Sequence, residues 1–521
     1  MAITSRLRQW HRYLALVVGI QLLLWLLSGL YMVLVPLDRV HGDHLVREAT
    51  SKQAVTPLPP GAVDGELLEL RLVQDPLGPL YLARTEQGWQ RFDAVTLQAL
   101  GRPDAKEIRR RAQALYAGEG NPELSLLPRH PRELGGRPGP VWRADFDGLF
   151  APSLYFDADT GLLRAKRSDL WRAFDLLWML HIMDYDTREE VNHPLLQLAS
   201  LAALLFALAG LWLLARLWRQ PLPRHRSWLP RLHRWLGLVA GIQLLLWSAG
   251  GLVFSLLPQA QVAGQGLIRH DDGQHRLRMP ELGALLARFP GQDWRMTGGD
   301  HGGIVLASGE RLRLDLKSAP LTEYQARDLA RHHYRGELVE LALETEATTA
   351  NRKWPKPLWR LDFEDGNSLY LDAVTGAPQG VRTPQWTLFD LFWMLHTMDY
   401  LDRDDFNHPL IWLFALGTLV LALTGSWMLV RRLPLPGRRL AIRVGARQQR
   451  ARAGTWLFEQ LPELQDKGQC GGGGGCGGCV VRIEGDAPVS PEERARFSQK
   501  ALDRGMRLAC QQRLRGDIRL R

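Results

Sequence analysis

Cysteine is nearly absent, at 4 of 521 residues, and all four lie after position 469. So few thiols exclude a disulfide-stapled secreted scaffold. No Walker motif, dinucleotide-binding loop or nucleophile triad is present, which removes the usual sequence signatures of phosphoryl, hydride and acyl transfer. The formal net charge is +10, but the excess arginine is gathered beside apolar runs, so nucleic-acid binding is not expected. Those runs are what the chain has in abundance.

Four stretches of about twenty apolar residues meet the length needed to cross a bilayer: 14–35, 195–214, 236–257 and 410–430. Arg6, Arg8 and Arg12 precede the first, Arg216, Arg219, Arg224, Arg226, Arg231 and Arg234 lie between the second and third, and Arg431, Arg432, Arg438 and Arg439 follow the fourth. Because short cytoplasmic flanks collect basic residues, these three regions and both termini are expected on the cytoplasmic side of a bacterial inner membrane. No small-residue cleavage site follows the first run, so it is expected to remain as an anchor.

The chain is duplicated. FDLLWMLHIMDYDTREEVNHP at 174–194 returns as FDLFWMLHTMDYLDRDDFNHP at 389–409, identical at 14 of 21 positions. WHRYLALVVGIQLLLW at 10–25 returns as LHRWLGLVAGIQLLLW at 232–247, and the stretches 141–161 and 358–376 also match. Each copy therefore holds a span, an outside segment, a histidine stretch and a second span. The outside segments read as a helix, near 105–117 or 322–335, followed by two strands. Asp157, Asp159 and Asp372 stand beside Thr-Gly and are expected to form turns rather than bind metal.

The duplication yields three histidine pairs: His11 with His233, His181 with His396, and His193 with His408. Imidazole is a common axial ligand of haem iron, and histidine at a membrane span is rare unless functional. With no C-x-x-C-H in the chain, such haem is held by ligation and packing alone, and is b-type. His11 and His233 begin outward spans and the other four precede inward spans. The two sets are too far apart for one haem, so two or more haems are expected, an inner one on His11 and His233 and an outer one near the opposite face. Asn192, His193 and Pro194 also read as a helix start.

The LHRWLG start, the outside strand ending in D-x-x-T-G and the LH before the next span resemble the PepSY-associated transmembrane family, over about residues 6–432. Members include inner-membrane reductases with two b-type haems that serve iron uptake from ferric siderophores. The resemblance implies His181 and His396 as the outer ligands, with His193 and His408 as alternates.

After LPLPG at 433–437 the composition turns soluble and glycine-rich. Cys470, Cys476, Cys479 and Cys510 follow a C-x5-C-x2-C pattern with a distant fourth, close to that of a plant-type 2Fe-2S ferredoxin. A structural zinc site and a disulfide are the competing readings. CGGGGGCGGCVVRI and the SPEERARFSQKALDRGMRLAC after it resemble the ferredoxin module of the sodium-translocating NADH:quinone reductase, over about 439–521. In that enzyme a flavin and NADH module follows, whereas 11 residues follow Cys510 here. A separate flavoprotein reductase or ferredoxin is therefore the expected cytoplasmic donor.

The expected fold class is a membrane α-helical protein of four transmembrane helices in two tandem repeats, with α+β periplasmic domains and a C-terminal β-grasp 2Fe-2S ferredoxin domain. Its boundaries are a first span at 1–36, an outside domain at 37–170, an interfacial helix and second span at 171–218 and a cytoplasmic loop at 219–235. A third span follows at 236–257, a second outside domain at 258–385, an interfacial helix and fourth span at 386–432, and the ferredoxin domain at 438–521. Three functions are expected to compete: a reductase for a ferric siderophore or other periplasmic acceptor, a subunit feeding membrane quinone or a partner redox complex, and a non-redox sensor. The cysteine and histidine sets argue against the third. Membrane lipid is the remaining partner.

Overall fold

The computed structural model describes residues 2–47, 55–59, 62–218, 228–269, 277, 282–298, 302–401, 403–430, 439–467, 474 and 476–521. They form two compact units, one of Met1–Leu34, Trp178–Leu256 and Phe392–Arg521, the other of Val35–Leu177 and Leu257–Leu391.

In the first unit three helices are long and apolar enough to cross a membrane: Gln9–Leu34, within the longer helix Ala2–Leu34, then Pro194–Arg216 and Pro409–Val430. Val17 and Ile20 are each 75% exposed and Leu413 68%, the outward apolar surface expected of helices in lipid rather than in water. The inward faces meet through Leu22, Leu26, Ala207, Leu244 and Leu419. The chain is a multi-pass membrane protein.

The straight span expected at 236–257 is instead a broken pair, Trp228–Val239 and Gly241–Leu256, bent by 55°. A glycine that packs closely on a neighbouring helix stands at the break. A Cβ at Gly241 would meet Leu211 Cδ2 at 3.1 Å, whereas the matching Gly19 of the first repeat has open space around it and its helix continues unbroken.

The second unit contains two α+β modules of one design. In the first, Ile108, Ala112 and Leu115 of helix Ala105–Leu115 pack on Ala144, Leu154 and Phe156 of an antiparallel meander, Glu123–Arg129, Pro138–Asp145, Ser153–Asp157 and Leu163–Arg167. The second sets helix Glu323–His333 on Leu338–Glu344, Leu358–Phe363, Ser368–Asp372 and Pro378–Arg382. Each helix is thus followed by four strands where two were expected. Both helices start on a side-chain cap, Asp104 accepting from Glu107 N at 2.7 Å and Thr322 in a capping box with Gln325. Asp157 Oδ1 accepts from Thr160 N at 2.8 Å and Asp372 Oδ1 from Thr375 N at 2.7 Å, so both aspartates build turns.

The outside segments 37–170 and 258–385, expected as separate domains, share a third sheet. It is antiparallel and seven-stranded, in the order Arg311–Arg313, Gly303–Leu306, Trp294–Thr297, Leu67–Val73, Leu80–Thr85, Gly88–Asp93 and Ala99–Leu100. The segments meet where Leu70 pairs with Met296 and Leu72 with Trp294. Apart, Leu67–Val73 and Trp294–Thr297 would each expose an unpaired edge. Joined, they bury Leu70, Leu72, Tyr81, Leu285, Trp294 and Met296 in one core.

The tail belongs to the first unit. Its five-stranded sheet has the order Arg447–Arg452, Arg439–Val444, Ile518–Leu520, Val480–Glu484, Met506–Leu508. Arg439–Val444 and Ile518–Leu520 are parallel, and the other pairings are antiparallel.

Arg111 is buried in the second unit, its Nε 2.8 Å from Asp75 Oδ2, with side-chain exposures of 1% and 4%. Asp75→Ala deprives a buried guanidinium of a charge partner and is expected to cost about 3 kcal/mol. The measurement is the thermal unfolding midpoint of the full-length protein in detergent, and an unchanged midpoint would show that Glu107, 3.0 Å away, compensates fully.

Candidate functional site

The two histidine stretches fold as helices Asp169–Ile182 and Pro384–Thr397. Each ends abruptly, with Met183 and Met398 in left-handed conformation at φ 58. A helix C-terminus leaves its last carbonyls without intrahelical donors, and in apolar surroundings side chains must supply them. Gln21 Nε2 donates to Leu180 O at 3.1 Å, Trp25 Nε1 to His181 O at 2.7 Å, and His193 Nε2 lies 3.0 Å from Ile182 O. The second repeat does the same with Gln243 to Leu395 O at 2.9 Å, Trp247 to His396 O at 2.7 Å, and His408 Nε2 3.0 Å from Thr397 O.

These caps bring His181 and His396 together, with ring centroids 6.3 Å apart and planes nearly perpendicular at 84°. Two imidazoles on one metal, each with a metal–nitrogen bond of about 2 Å, hold their centres roughly 6 Å apart. The surroundings are apolar: Phe254 stands 5.7 Å and Trp247 6.5 Å from His396, centroid to centroid. Ser28 Oγ donates to Leu24 O at 2.7 Å and lies 2.9 Å from His181 Nδ1. With its own proton spent, that oxygen accepts from Nδ1–H, which leaves Nε2 as the free lone pair.

His11 and His233 hold matching places in the two repeats and make up a second candidate pair. His11 stacks on Phe206 at 4.4 Å and 5°. His233 Nδ1 lies 3.0 Å from Thr424 Oγ1 and 3.2 Å from Leu421 O, and that hydroxyl donates to Leu421 O at 2.8 Å, so Nε2 is again the free nitrogen. Glycine faces both rings. A Cβ at Gly210 would be 3.1 Å from His11 Cε1, and one at Gly425 would be 3.0 Å from His233 Cε1. His11 and the Ser28 that touches His181 are separated by 17 residues of one helix, about 26 Å along its axis, so the pairs are distinct sites.

The model of the PepSY-associated TM region family matches residues 8–432. The chain belongs to that family. PepSY-associated TM proteins are associated with transmembrane electron transfer or haem binding. No curated protein matches the chain.

Within this PepSY-associated chain the histidines therefore divide by role. His193 caps the helix Pro194–Leu217, its Nδ1 accepting from Leu196 N at 3.3 Å while Nε2 serves Ile182 O, so both ring nitrogens are engaged. His408 meets Thr397 O in the same way. Among the described residues no three His, Cys, Asp or Glu side chains converge into a metal cage; axial ligation of haem needs only two imidazoles. The two part-buried pairs fit that requirement, and the Nδ1 atoms of His11 and His396 are themselves buried outside any full hydrogen bond.

In the tail, Cys479 and Cys510 are buried in the sheet's core and Cys476 is partly exposed. Cys470 lies outside the described residues. Gly478 N and Gln511 Nε2 each stand 3.5 Å from a cysteine sulfur, of Cys476 and Cys510 respectively, donors of the kind that tune sulfur ligands. The fully buried Glu493 accepts from Leu508 N at 2.7 Å and Gln512 Nε2 at 2.9 Å, fixing the chain on both sides of Cys510.

Sequence reasoning passed over Gln21, Trp25, Ser28, Thr424 and Glu493. Only the first two carried a signal, since GIQLLLW is identical in both repeats.

His193→Ala and His408→Ala each remove a helix cap and are expected to cost about 1 kcal/mol, summing in the double variant, with iron content unchanged. Thermal unfolding and iron analysis of the purified protein check this. Loss of iron from both variants would make these residues ligands.

Proposed function

We propose that the protein carries electrons across the bacterial inner membrane. In this reading Cys470, Cys476, Cys479 and Cys510 would hold a 2Fe-2S cluster, His11 and His233 one b-type haem and His181 and His396 a second, and these groups would supply one-electron exchange between a cytoplasmic donor and a periplasmic acceptor. Ferric iron in a siderophore is the acceptor this reading favours. The observation that carries it is the part-buried pair His181 and His396, one imidazole from each repeat, at 6.3 Å.

Haem and the cluster supply reversible one-electron exchange at iron. The chain's own residues do the rest. Ser28 and Thr424 fix imidazole tautomers, Trp25 and Trp247 fix the backbone of the outer histidines, and Phe254 and Trp247 exclude water around His396. The tail's five-stranded sheet, with two of its inner strands parallel, supports the β-grasp ferredoxin reading. Its Glu459 pairs with Arg12, the residue after His11, which supports entry of electrons at the inner pair. Four crossings, with the bent pair as the third, and the arginine clusters support cytoplasmic termini. A flavoprotein reductase or ferredoxin would charge the cluster.

The test is a dithionite-minus-oxidised absorption spectrum of the purified protein with haem and iron counts. Two b-type haems and two further irons are expected per chain, and Cys476→Ser should remove the cluster signal, keep both haems and stop their reduction by a ferredoxin-type donor. A protein without a reduced haem α-band would sink the reading.

A further inference from the structure

The two repeats place their histidines alike but do not support them alike. Ser28, whose hydroxyl meets His181 Nδ1 at 2.9 Å, corresponds in the second repeat to Gly250. Nothing replaces the hydroxyl there, and His396 Nδ1 is buried without a partner. The inner pair is uneven in the opposite sense. Thr424, whose hydroxyl meets His233 Nδ1 at 3.0 Å, corresponds in the first repeat to Ala209, and His11 Nδ1 is the one left buried without a partner. His11 stacks on Phe206, whose backbone carbonyl faces the ring without reaching hydrogen-bond geometry at Nδ1, so His11 lacks the hydroxyl that His233 has.

We propose that each haem is held by one anchoring and one yielding histidine: His181 anchors and His396 yields at the outer site, while His233 anchors and His11 yields at the inner. This rests on the haem reading above and adds to it. An imidazole whose Nδ1–H is accepted by oxygen is fixed in the tautomer that presents Nε2, and it becomes a more basic ligand. An imidazole that ligates through Nε2 with its Nδ1–H buried and unmet carries an unsatisfied donor and is the one released first. Ser28 and Thr424 are positioning residues in this scheme. The anchors come from opposite repeats, so neither repeat holds both haems.

Space permits the converse change. A Cβ at Gly250 would lie 3.6 Å from His396 Nδ1 and 3.8 Å from Phe392 Cδ1, ordinary contact distances, so a serine there can offer His396 the oxygen it lacks.

The experiment uses the full-length protein in detergent, with haem release to excess apomyoglobin, redox titration of each haem and low-temperature electron paramagnetic resonance. Ser28→Ala is expected to release one haem about 10-fold faster, raise that haem's midpoint potential and alter its low-spin signal. Gly250→Ser should slow release of the same haem and lower its midpoint. Thr424→Ala should act on the other haem alone. If both haems bind but Ser28→Ala and Gly250→Ser leave release and midpoint unchanged, the inference is overturned and the haem assignment stands; a protein that binds no haem overturns the assignment itself.

Discussion

A helix that stops inside an apolar bundle must have its last carbonyls met by side chains, and much of the membrane unit follows from that one requirement. Leu180 O, His181 O and Ile182 O take Gln21, Trp25 and His193; Leu395 O, His396 O and Thr397 O take Gln243, Trp247 and His408. Water would otherwise have served these six groups. The caps fix the chain at the position that bears the part-buried imidazole. They also explain the spacing of the repeated motif, because the histidine that precedes each inward span must reach back to the residue following the ligand candidate. Asp184 secures the intervening turn. Burial disfavours its charge, but hydrogen bonds from Thr187, Glu190, Asp186 and Glu189 outweigh burial and hold its carboxyl well below the ordinary range.

Much of this was legible because a bilayer and a duplication both leave strong traces in sequence. Apolar runs locate spans to within a few residues, except at Gly241, where the third is broken. That break has no local signature, since V-G-I-Q and A-G-I-Q at the matching steps differ only by one small apolar residue. Histidines that recur in register drew attention to His181 and His396, which the fold brings within 6.3 Å of one another. The shared seven-stranded sheet was hidden because strand pairing between Leu67–Val73 and Trp294–Thr297 spans more than two hundred residues, and alternation within a strand says nothing about its partner. The hydroxyls of Ser28 and Thr424 were equally hidden. A lone serine or threonine in a span usually bonds its own helix, and each does so here while also meeting a histidine from elsewhere.

The tail bears on the direction of the proposed electron path. Its ion pair between Glu459 and Arg12 joins it to the first span one residue from His11. An ion pair half-open to water contributes little stability, but it can fix orientation, and orientation decides which pair of imidazoles a cluster in the tail would face.

Duplication also explains why the two repeats depend on one another. Asn192 of the first repeat donates to Phe254 O and Ser255 O, the last carbonyls of the second repeat's outward helix, at 3.3 and 3.1 Å. Asn407 of the second returns the contact to Met32 O and Val33 O of the first, at 3.2 and 2.9 Å. Thus each repeat caps its own histidine helix but lends its asparagine to the span of the other. A single repeat would leave its outward helix uncapped in an apolar medium and would hold one imidazole of each pair. Two tandem copies in one chain satisfy both demands together, because the exchange of caps that closes the bundle is the same exchange that brings a histidine from each half to a common point.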